Sequence, residues 1–373
     1  MFIVKRIIKI ILSFVLLSTI LACTQFNIHK VHIPTEQTNE EIASDYVSNI
    51  IAFDSMFSNQ NYATRFALNT YPSFLADAYE EDYHLSFENL SDEEKKNYFN
   101  QWESDYVELL LEKFNEDSDL ASLIKLENDA FKMTELETFR SASTFDEDLF
   151  LSRYTSNLSI LTSKNNRSSG ANKTITDNCI VKASEEKFKA NYKKGRVLVC
   201  TEKSSSSSGG SSYLGHTSMM ACDEWNGDWN GHGLAMVAIT SFPKNKNSMW
   251  AGKTDGVQYE PLGMWAGNSG GSMKATSIYD VRRKLSRKKY QAASNSDYIT
   301  AANFAISKIG KPYNSFYLDK KNENKFYCSS LVYKSWYRIS KQYDMSQLGI
   351  AWVSPAKIAS SDRTVLVCKY YNY

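Results

Sequence analysis

The segment Gly310–Ser340, GKPYNSFYLDKKNENKFYCSSLVYKSWYRIS, is the stretch that decides the fold of this 373-residue chain. It places Cys328 at the start of a predicted amphipathic helix, Ser329–Lys341, shortly after a Gly-Lys-Pro-Tyr turn. A thiol at a helix N-terminus lies near unpaired backbone N–H groups and the positive end of the helix dipole. Both favour the thiolate, which is the nucleophilic form of cysteine. Cys328 is therefore a candidate nucleophile, and the alternative is a buried structural cysteine.

A histidine upstream of this segment offers the base that a thiol nucleophile needs. His216 stands in a Gly-His-Thr motif at the start of an apolar, strand-like run. An imidazole within hydrogen-bonding distance deprotonates a thiol effectively near neutral pH. The other histidine of the C-terminal half, His232, lies in a loop rich in Gly, Asn and Trp, which favours a turn role. The sequence thus predicts a pair formed by Cys328 and His216.

The N-terminus has the pattern of a secretory signal. Basic residues precede an apolar run, Ile10–Ala22, which is shorter than the ~20 residues needed to cross a bilayer. The motif Ile20–Cys23 is similar to a bacterial lipobox, which implies cleavage before Cys23 and lipid attachment to its thiol. We therefore expect a lipoprotein held at the cell membrane or the outer membrane, outside the cytoplasm. An uncleaved anchor and plain secretion are the alternatives.

Helical periodicity dominates the N-terminal half. The motif Ser91–Glu94, SDEE, predicts a capping box at the start of a long helix. No arrangement of reactive side chains stands out in this half, so we expect a spacer or a platform for a partner. A polar stretch without periodicity follows and is the natural domain boundary. The predicted organisation is a signal peptide at 1–22, a tether at 23–37, a helical domain at 38–163, a linker at 164–175 and a C-terminal domain at 176–373.

The C-terminal half combines strands and helices. Its short apolar runs have the length of strands and are separated by clusters of Gly, Asn, Ser and Lys. Two helices, Asp297–Ile309 and Ser329–Lys341, interrupt the strand series. This pattern predicts an α+β domain in which helices frame a mainly antiparallel sheet. The predicted strands are Arg196–Cys200, Thr217–Ala221, Leu234–Ile239, Val257–Leu262 and Thr364–Val367.

Composition excludes some classes of protein and leaves others open. Lys and Arg total 43 against 42 Asp and Glu, a balance that argues against a nucleic-acid binder. Outside the cytoplasm disulfides are permitted, and the four cysteines other than Cys23 and Cys328 allow three full pairings. No two of the four have the C-x2-4-C spacing of zinc sites, so we predict neither a metal nor a cofactor. These four are Cys179, Cys200, Cys222 and Cys368.

Five pieces of the sequence, in order, resemble the permuted papain-like hydrolases, the YiiX-like branch of the NlpC-type superfamily. In that family the histidine strand precedes the cysteine helix. The resemblance runs from about Tyr192 to Val367 and implies a circularly permuted papain-like domain, with Cys328 as nucleophile and His216 as base. Arg196 stands where the family's opening strand usually has an acidic residue. The five pieces are Gly215-His216-Thr217, Gly256-Val257 with Pro261-Leu262, Gly310–Asn314, Phe326–Val332 and Val353-Ser354-Pro355.

Two further positions follow from the resemblance. The family carries a third polar residue that orients the imidazole, on the strand after the histidine. Thr240 fits this position if the two strands pair, and His232 and Ser241 remain alternatives. Tyr313 matches a family tyrosine near the nucleophile, which implies a place in the substrate groove. An ordinary packed turn residue is the alternative for Tyr313.

The resemblance implies a cysteine amidase or peptidase that acts through an acyl-enzyme. For a protein outside the cytoplasm, the expected substrate is an amide bond in a cell-wall peptide. An acyltransferase or thioesterase acting on lipid acyl groups is one alternative, because the aromatic loops Trp225–Trp229 and Trp250–Trp265 suit an acyl chain or a peptide. A non-catalytic lipoprotein that binds the envelope is the other. The sequence leaves the oligomeric state open.

Overall fold

The architecture is described by a computed structural model. It covers residues 37–58, 71–141, 153–154, 157, 180–182, 190–203, 215–221, 237–242, 256–261, 265, 273–314, 323–346 and 353–371. The predicted signal peptide, Cys23 and the linker at 164–175 lie outside these residues. Within the described part of the chain, no helix is long and apolar enough to cross a membrane.

Helices form the N-terminal part of the described chain, and strands and helices form the rest. The helices are α1 Asn39–Ser58, α2 Phe74–Tyr83, α3 Asp92–Glu116, α4 Ser118–Ser141, α5 Asn295–Ile306, α6 Cys328–Tyr337 and α7 Pro355–Ser360. The strands are β1 Ile180–Lys182, β2 Val197–Lys203, β3 His216–Met220, β4 Val237–Phe242, β5 Gly256–Pro261, β6 Met273–Ser286, β7 Lys289–Ala292 and β8 Thr364–Tyr371. The capping box predicted for α3 is confirmed, because Ser91 and Glu94 exchange hydrogen bonds at its start.

The strands form a sheet in the order β1-β8-β6-β2-β3-β4-β5, and β7 pairs with β6. β1 runs parallel to β8, and the other neighbouring strands are antiparallel. This arrangement confirms the predicted α+β class with a mainly antiparallel sheet. It also places β3, which begins with His216, between β2 and β4.

Helices cover both faces of the sheet around β6. Ser277 donates a hydrogen bond of 3.0 Å to Asp117, at the junction of α3 and α4. Tyr298 of α5 donates one of 2.7 Å to Asp280. Because side chains alternate along a strand, Ser277 and Asp280 point to opposite faces. The N-terminal helices therefore lie on one face, and α5, with α6 packed beside it, lies on the other.

The central strand β6 and its partner β7 were not predicted from the sequence. β6 is the longest strand of the sheet, yet its buried residues include Thr276 and Ser277, and its second half is rich in Arg and Lys. A search for apolar runs does not detect such a strand. β6 pairs with β2 and β8 on its two sides and also buries Ile278, Tyr279 and Val281.

Buried charges join the N-terminal helices to the sheet. Lys369 of β8 forms ion pairs with Asp117 and with Asp119, the latter at 2.7 Å, and all three side chains are buried. On the β6–β7 hairpin, Arg287 pairs with Asp105 of α3 at 2.7 Å. Residues Asn39–Tyr373 accordingly form a single compact unit. The helices are thus a layer within this unit, and the predicted domain bounds and the role of the helices as a spacer or partner platform stay predictions.

The structure tests the disulfide pairings that the sequence left open. Cys200 on β2 and Cys368 on β8 are buried thiols, so neither forms a disulfide. This excludes all three arrangements in which the four cysteines form two disulfides. Cys179 and Cys222 lie outside the described residues.

We predict that Lys369→Met destabilises the protein strongly. The change leaves Asp117 and Asp119 buried without their cation, and removing one partner of a buried ion pair costs about 3–5 kcal/mol. Urea denaturation of both proteins measures the loss in the free energy of unfolding. The matched control is Lys289→Met on β7, where the side chain is exposed and the loss is expected to stay within about 0.5 kcal/mol. Equal stability of the two variants would show that the buried ion pairs do not hold the helices to the sheet.

Candidate active site

The candidate nucleophile lies on a rigid turn. Cys328 is the first residue of α6, and the preceding residue, Tyr327, is buried. The Tyr327 N–H donates to Ser330 Oγ at 2.9 Å, and Ser329 Oγ donates to the carbonyl of Val353 at 2.8 Å. The Val353 N–H in turn donates to Tyr327 Oη at 3.2 Å. Residues on both sides of Cys328 are thereby tied to a segment that follows later in the chain.

The histidine is fixed by the glycine before it. His216 opens β3 and lies opposite Cys200 in the ladder with β2. Gly215 has φ of +79°, and a Cβ at this position would lie 2.4 Å from the carbonyl oxygen of Cys200. Only glycine therefore allows β3 to approach β2 closely enough to begin at His216.

The structure brings Cys328 and His216 together. Burial raises the pKa of the Cys328 thiol, but a hydrogen bond to His216 and the charge of the imidazole lower it. Hydrogen bonds from the backbone N–H groups of Thr217 and Ser329 lower the pKa further. The net pKa of the Cys328 thiol lies below its ordinary value, although the side chain is only 7% exposed. A buried cysteine without these partners would have the opposite shift.

The Gly-Lys-Pro-Tyr turn packs between β5 and the cysteine segment. The Val257 N–H donates to the Lys311 carbonyl at 2.8 Å, and the Gly310 N–H donates to the Val257 carbonyl at 2.9 Å. Tyr313 then forms a parallel bridge with Phe326, two residues before Cys328. Tyr313 is half-buried beside the nucleophile's segment, and its predicted contact with substrate stays a prediction.

The last matching piece connects the cysteine turn with the histidine strand. Ser354 accepts the N-terminal hydrogen bond of α7 from the Lys357 N–H at 3.0 Å. The Cβ of Pro355 lies 3.4 Å from where a side chain on Gly215 would begin. Since Val353 also accepts a hydrogen bond from Ser329, this short segment lies next to the neighbours of both members of the candidate pair.

The position of the third polar residue stays a prediction. Thr240 lies on β4, opposite Gln258 of β5, and β4 also pairs with β3 through Met219 and Ile239. The predicted strand pairing is thus present. The side chains of Thr240 and Ser241, and all of His232, lie outside the described residues.

Sequence reasoning missed the role of one residue at the site. Trp265 is fully buried and stacks on His216, with ring centroids 5.3 Å apart and planes at 24°. The sequence around Trp265 predicts only an aromatic loop, and no local pattern indicates a contact with His216. Arg196 forms a bidentate ion pair with Asp280 at 2.8 and 3.0 Å, so this residue joins β2 to the unpredicted strand β6. Within the described residues, no three His, Cys, Asp or Glu side chains are grouped to hold a metal ion.

Comparison with known proteins agrees with this geometry. Residues 192–367 match the family model described as permuted papain-like amidase enzyme, YaeF/YiiX, C92 family. The match spans the range from which the resemblance was drawn. No curated protein and no solved structure matches the chain.

We predict that Gly215→Ala impairs the site more than Gly310→Ala. Both glycines have positive φ, at +79° and +86°, so both changes carry backbone strain of order 1 kcal/mol. Only at Gly215 does the new methyl group also meet a backbone oxygen, whereas the space around Gly310 is open. Thermal unfolding and the alkylation rate of Cys328 should therefore change more for Gly215→Ala. Indistinguishable variants would show that the close approach of β3 to β2 does not position His216.

We predict that Cys328 reacts with iodoacetamide at lower pH than an ordinary cysteine, whose pKa is about 8.5. The thiolate is lost as the pH falls through the thiol pKa, so a lowered pKa retains reactivity into more acidic solution. His216→Ala removes the largest favourable influence and leaves burial in place, so the midpoint should rise. Cys328→Ala identifies the signal, and circular dichroism confirms folding. A midpoint unchanged in His216→Ala would contradict the pairing.

Proposed function

We propose that this enzyme cleaves amide bonds with Cys328 as nucleophile and His216 as general base and acid. The match of residues 192–367 to the permuted papain-like amidase family supports the proposal. The observation that carries the proposal is the hydrogen bond between the two side chains, together with the lowered pKa of the thiol. A nucleophile and a base in direct contact are the minimum for covalent catalysis by cysteine.

The chemistry follows from this contact. The proton of Cys328 Sγ passes to the imidazole of His216, and the thiolate attacks the substrate carbonyl carbon. The tetrahedral intermediate collapses with the carbon–nitrogen bond broken, and the imidazolium gives its proton to the leaving amine. Water, deprotonated by His216, then hydrolyses the thioester and restores the thiol.

Backbone donors suit the charge that develops. The first turn of α6 presents N–H groups beside the sulfur, and that of Ser329 already contacts it. We assign stabilisation of the oxyanion to this turn, because fixed donors in a buried site cost no reorganisation during reaction. The hydrogen bonds from Tyr327 and Ser329 to neighbouring groups keep the turn in place.

We further propose that the substrate is a cell-wall peptide and that the enzyme is attached to a membrane through a lipid on Cys23. Both proposals rest on the signal-like N-terminus and the lipobox-like motif. A location outside the cytoplasm would place the enzyme next to the cell-wall polymer, where short peptides joined by amide bonds are abundant.

A cysteine-directed activity probe tests the catalytic proposal. We expect the full-length protein to be labelled, Cys328→Ala to lose labelling, and Cys368→Ala to keep it, since Cys368 is a buried thiol on β8. Labelling that persists in Cys328→Ala, or its absence from the unaltered protein, would overturn the proposal and favour a non-catalytic binding protein.

Substrate class is tested by mass spectrometry of products. We expect new amine and carboxyl termini when the enzyme is incubated with purified cell-wall peptide fragments, and no products with Cys328→Ala. Phospholipid vesicles serve as the parallel sample. If fatty acyl groups are released or transferred in that sample and the peptides are not cleaved, the proposed amide hydrolysis is wrong. The enzyme would then be an acyltransferase or thioesterase that acts on lipids.

A further inference from the structure

Three neighbouring strands place a row of side chains across the sheet, and His216 of the candidate pair is one end of this row. Thr276 of β6 lies opposite Cys200 of β2, and Cys200 lies opposite His216 of β3. Residues directly opposite in antiparallel strands present their side chains to the same face. Thr276, Cys200 and His216 therefore point to one side of the sheet, the side on which Cys328 contacts the imidazole.

Trp265 spans this row. Thr276 Oγ1 donates a hydrogen bond of 2.6 Å to the Trp265 carbonyl, and both residues are fully buried. The indole of the same residue stacks on His216 with centroids 5.3 Å apart. The tryptophan is thus held at its backbone by one end of the row, and its ring covers the other end.

From this arrangement we infer that Trp265 and Thr276 are positioning residues that stabilise the imidazolium form of His216 during the reaction. The inference rests on the proposed function and adds a specific electrostatic role to it. The face of an indole attracts a cation within about 6 Å of its centroid, and the attraction is stronger where water is excluded. His216 is 4% exposed and Trp265 is fully buried.

The stack favours the charged pair over the neutral one. When the proton leaves Cys328 Sγ for His216, a positive charge appears under the indole face and a negative charge appears on sulfur. Among the described titratable groups, Cys328 of α6 hydrogen-bonds to the imidazole, and Cys200 of β2 lies opposite His216 in the ladder. The indole stabilises the thiolate–imidazolium pair, so it should widen the pH range over which that pair exists.

The test compares Trp265→Leu with Trp265→Phe in the full-length protein. Leucine fills space and excludes water but lacks a ring face, whereas phenylalanine keeps the face. We expect Trp265→Leu to raise the pH midpoint of Cys328 alkylation. We also expect it to narrow the pH profile of kcat/KM on a cell-wall peptide fragment, with the acid limb moving up and the alkaline limb moving down. We also expect kcat/KM to fall roughly tenfold, and Trp265→Phe to restore most of both properties.

The anchoring residue is tested in the same way. Thr276→Val removes the hydrogen bond to the Trp265 carbonyl at nearly constant volume, and Thr276→Ser retains it. We expect the valine variant to shift the alkylation profile in the same direction as Trp265→Leu and the serine variant to resemble the unaltered protein. Cys200→Ala should leave both limbs of the kcat/KM profile in place, which excludes titration of Cys200 as their source.

The outcomes separate this inference from the proposed function. The inference is overturned if the pH profiles of Trp265→Leu equal those of the unaltered protein. It is also overturned if folded Trp265→Leu and Trp265→Phe lose kcat/KM equally. Neither result affects the roles of Cys328 and His216. If Cys328 in the unaltered protein shows an ordinary thiol pKa, the proposed function fails first, and the inference fails with it.

Discussion

The hydrogen bond between Cys328 and His216 is the interaction on which the site depends. The thiol is buried, and burial alone raises its pKa and keeps it protonated. The imidazole and two backbone N–H groups reverse this effect. The protein therefore needs both a dry site and partners placed accurately around the sulfur. Much of the surrounding structure supplies that placement.

The partners come from distant parts of the chain, and short backbone contacts bring them together. Gly215 lets β3 lie close against β2, and Val353 holds the turn before α6. Pro355, two residues after Val353, reaches the same glycine. The Gly310–Asn314 turn lies between β5 and Phe326. At Gly215 and Gly256 a neighbouring backbone carbonyl leaves no room for a Cβ atom, which explains the glycine at these two positions.

The sequence predicted those parts of the fold that carry local signals. The capping box of α3, the helix that begins at Cys328 and the strand that begins near His216 all have such signals, and the structure contains them. β6 lacks such a signal, because Thr, Ser, Asp, Arg and Lys interrupt its apolar residues. Trp265 could not be assigned for a related reason. Its contact with His216 depends on how three strands align, and no spacing along the chain encodes that alignment.

One face of the sheet carries the candidate pair, and the other face packs against the N-terminal helices. Thr276 faces the candidate pair, while the next residue, Ser277, contacts Asp117 of the N-terminal helices. Asp117 also pairs with buried Lys369, so charged groups hold the helices to the face that lacks the nucleophile. Desolvation offsets much of the attraction within such buried pairs, yet loss of one partner leaves an uncompensated buried charge. The N-terminal helices are then best understood as a layer that fixes β6 and β8 in register. Through β6 they fix the position of Thr276, and hence of the tryptophan that covers the histidine.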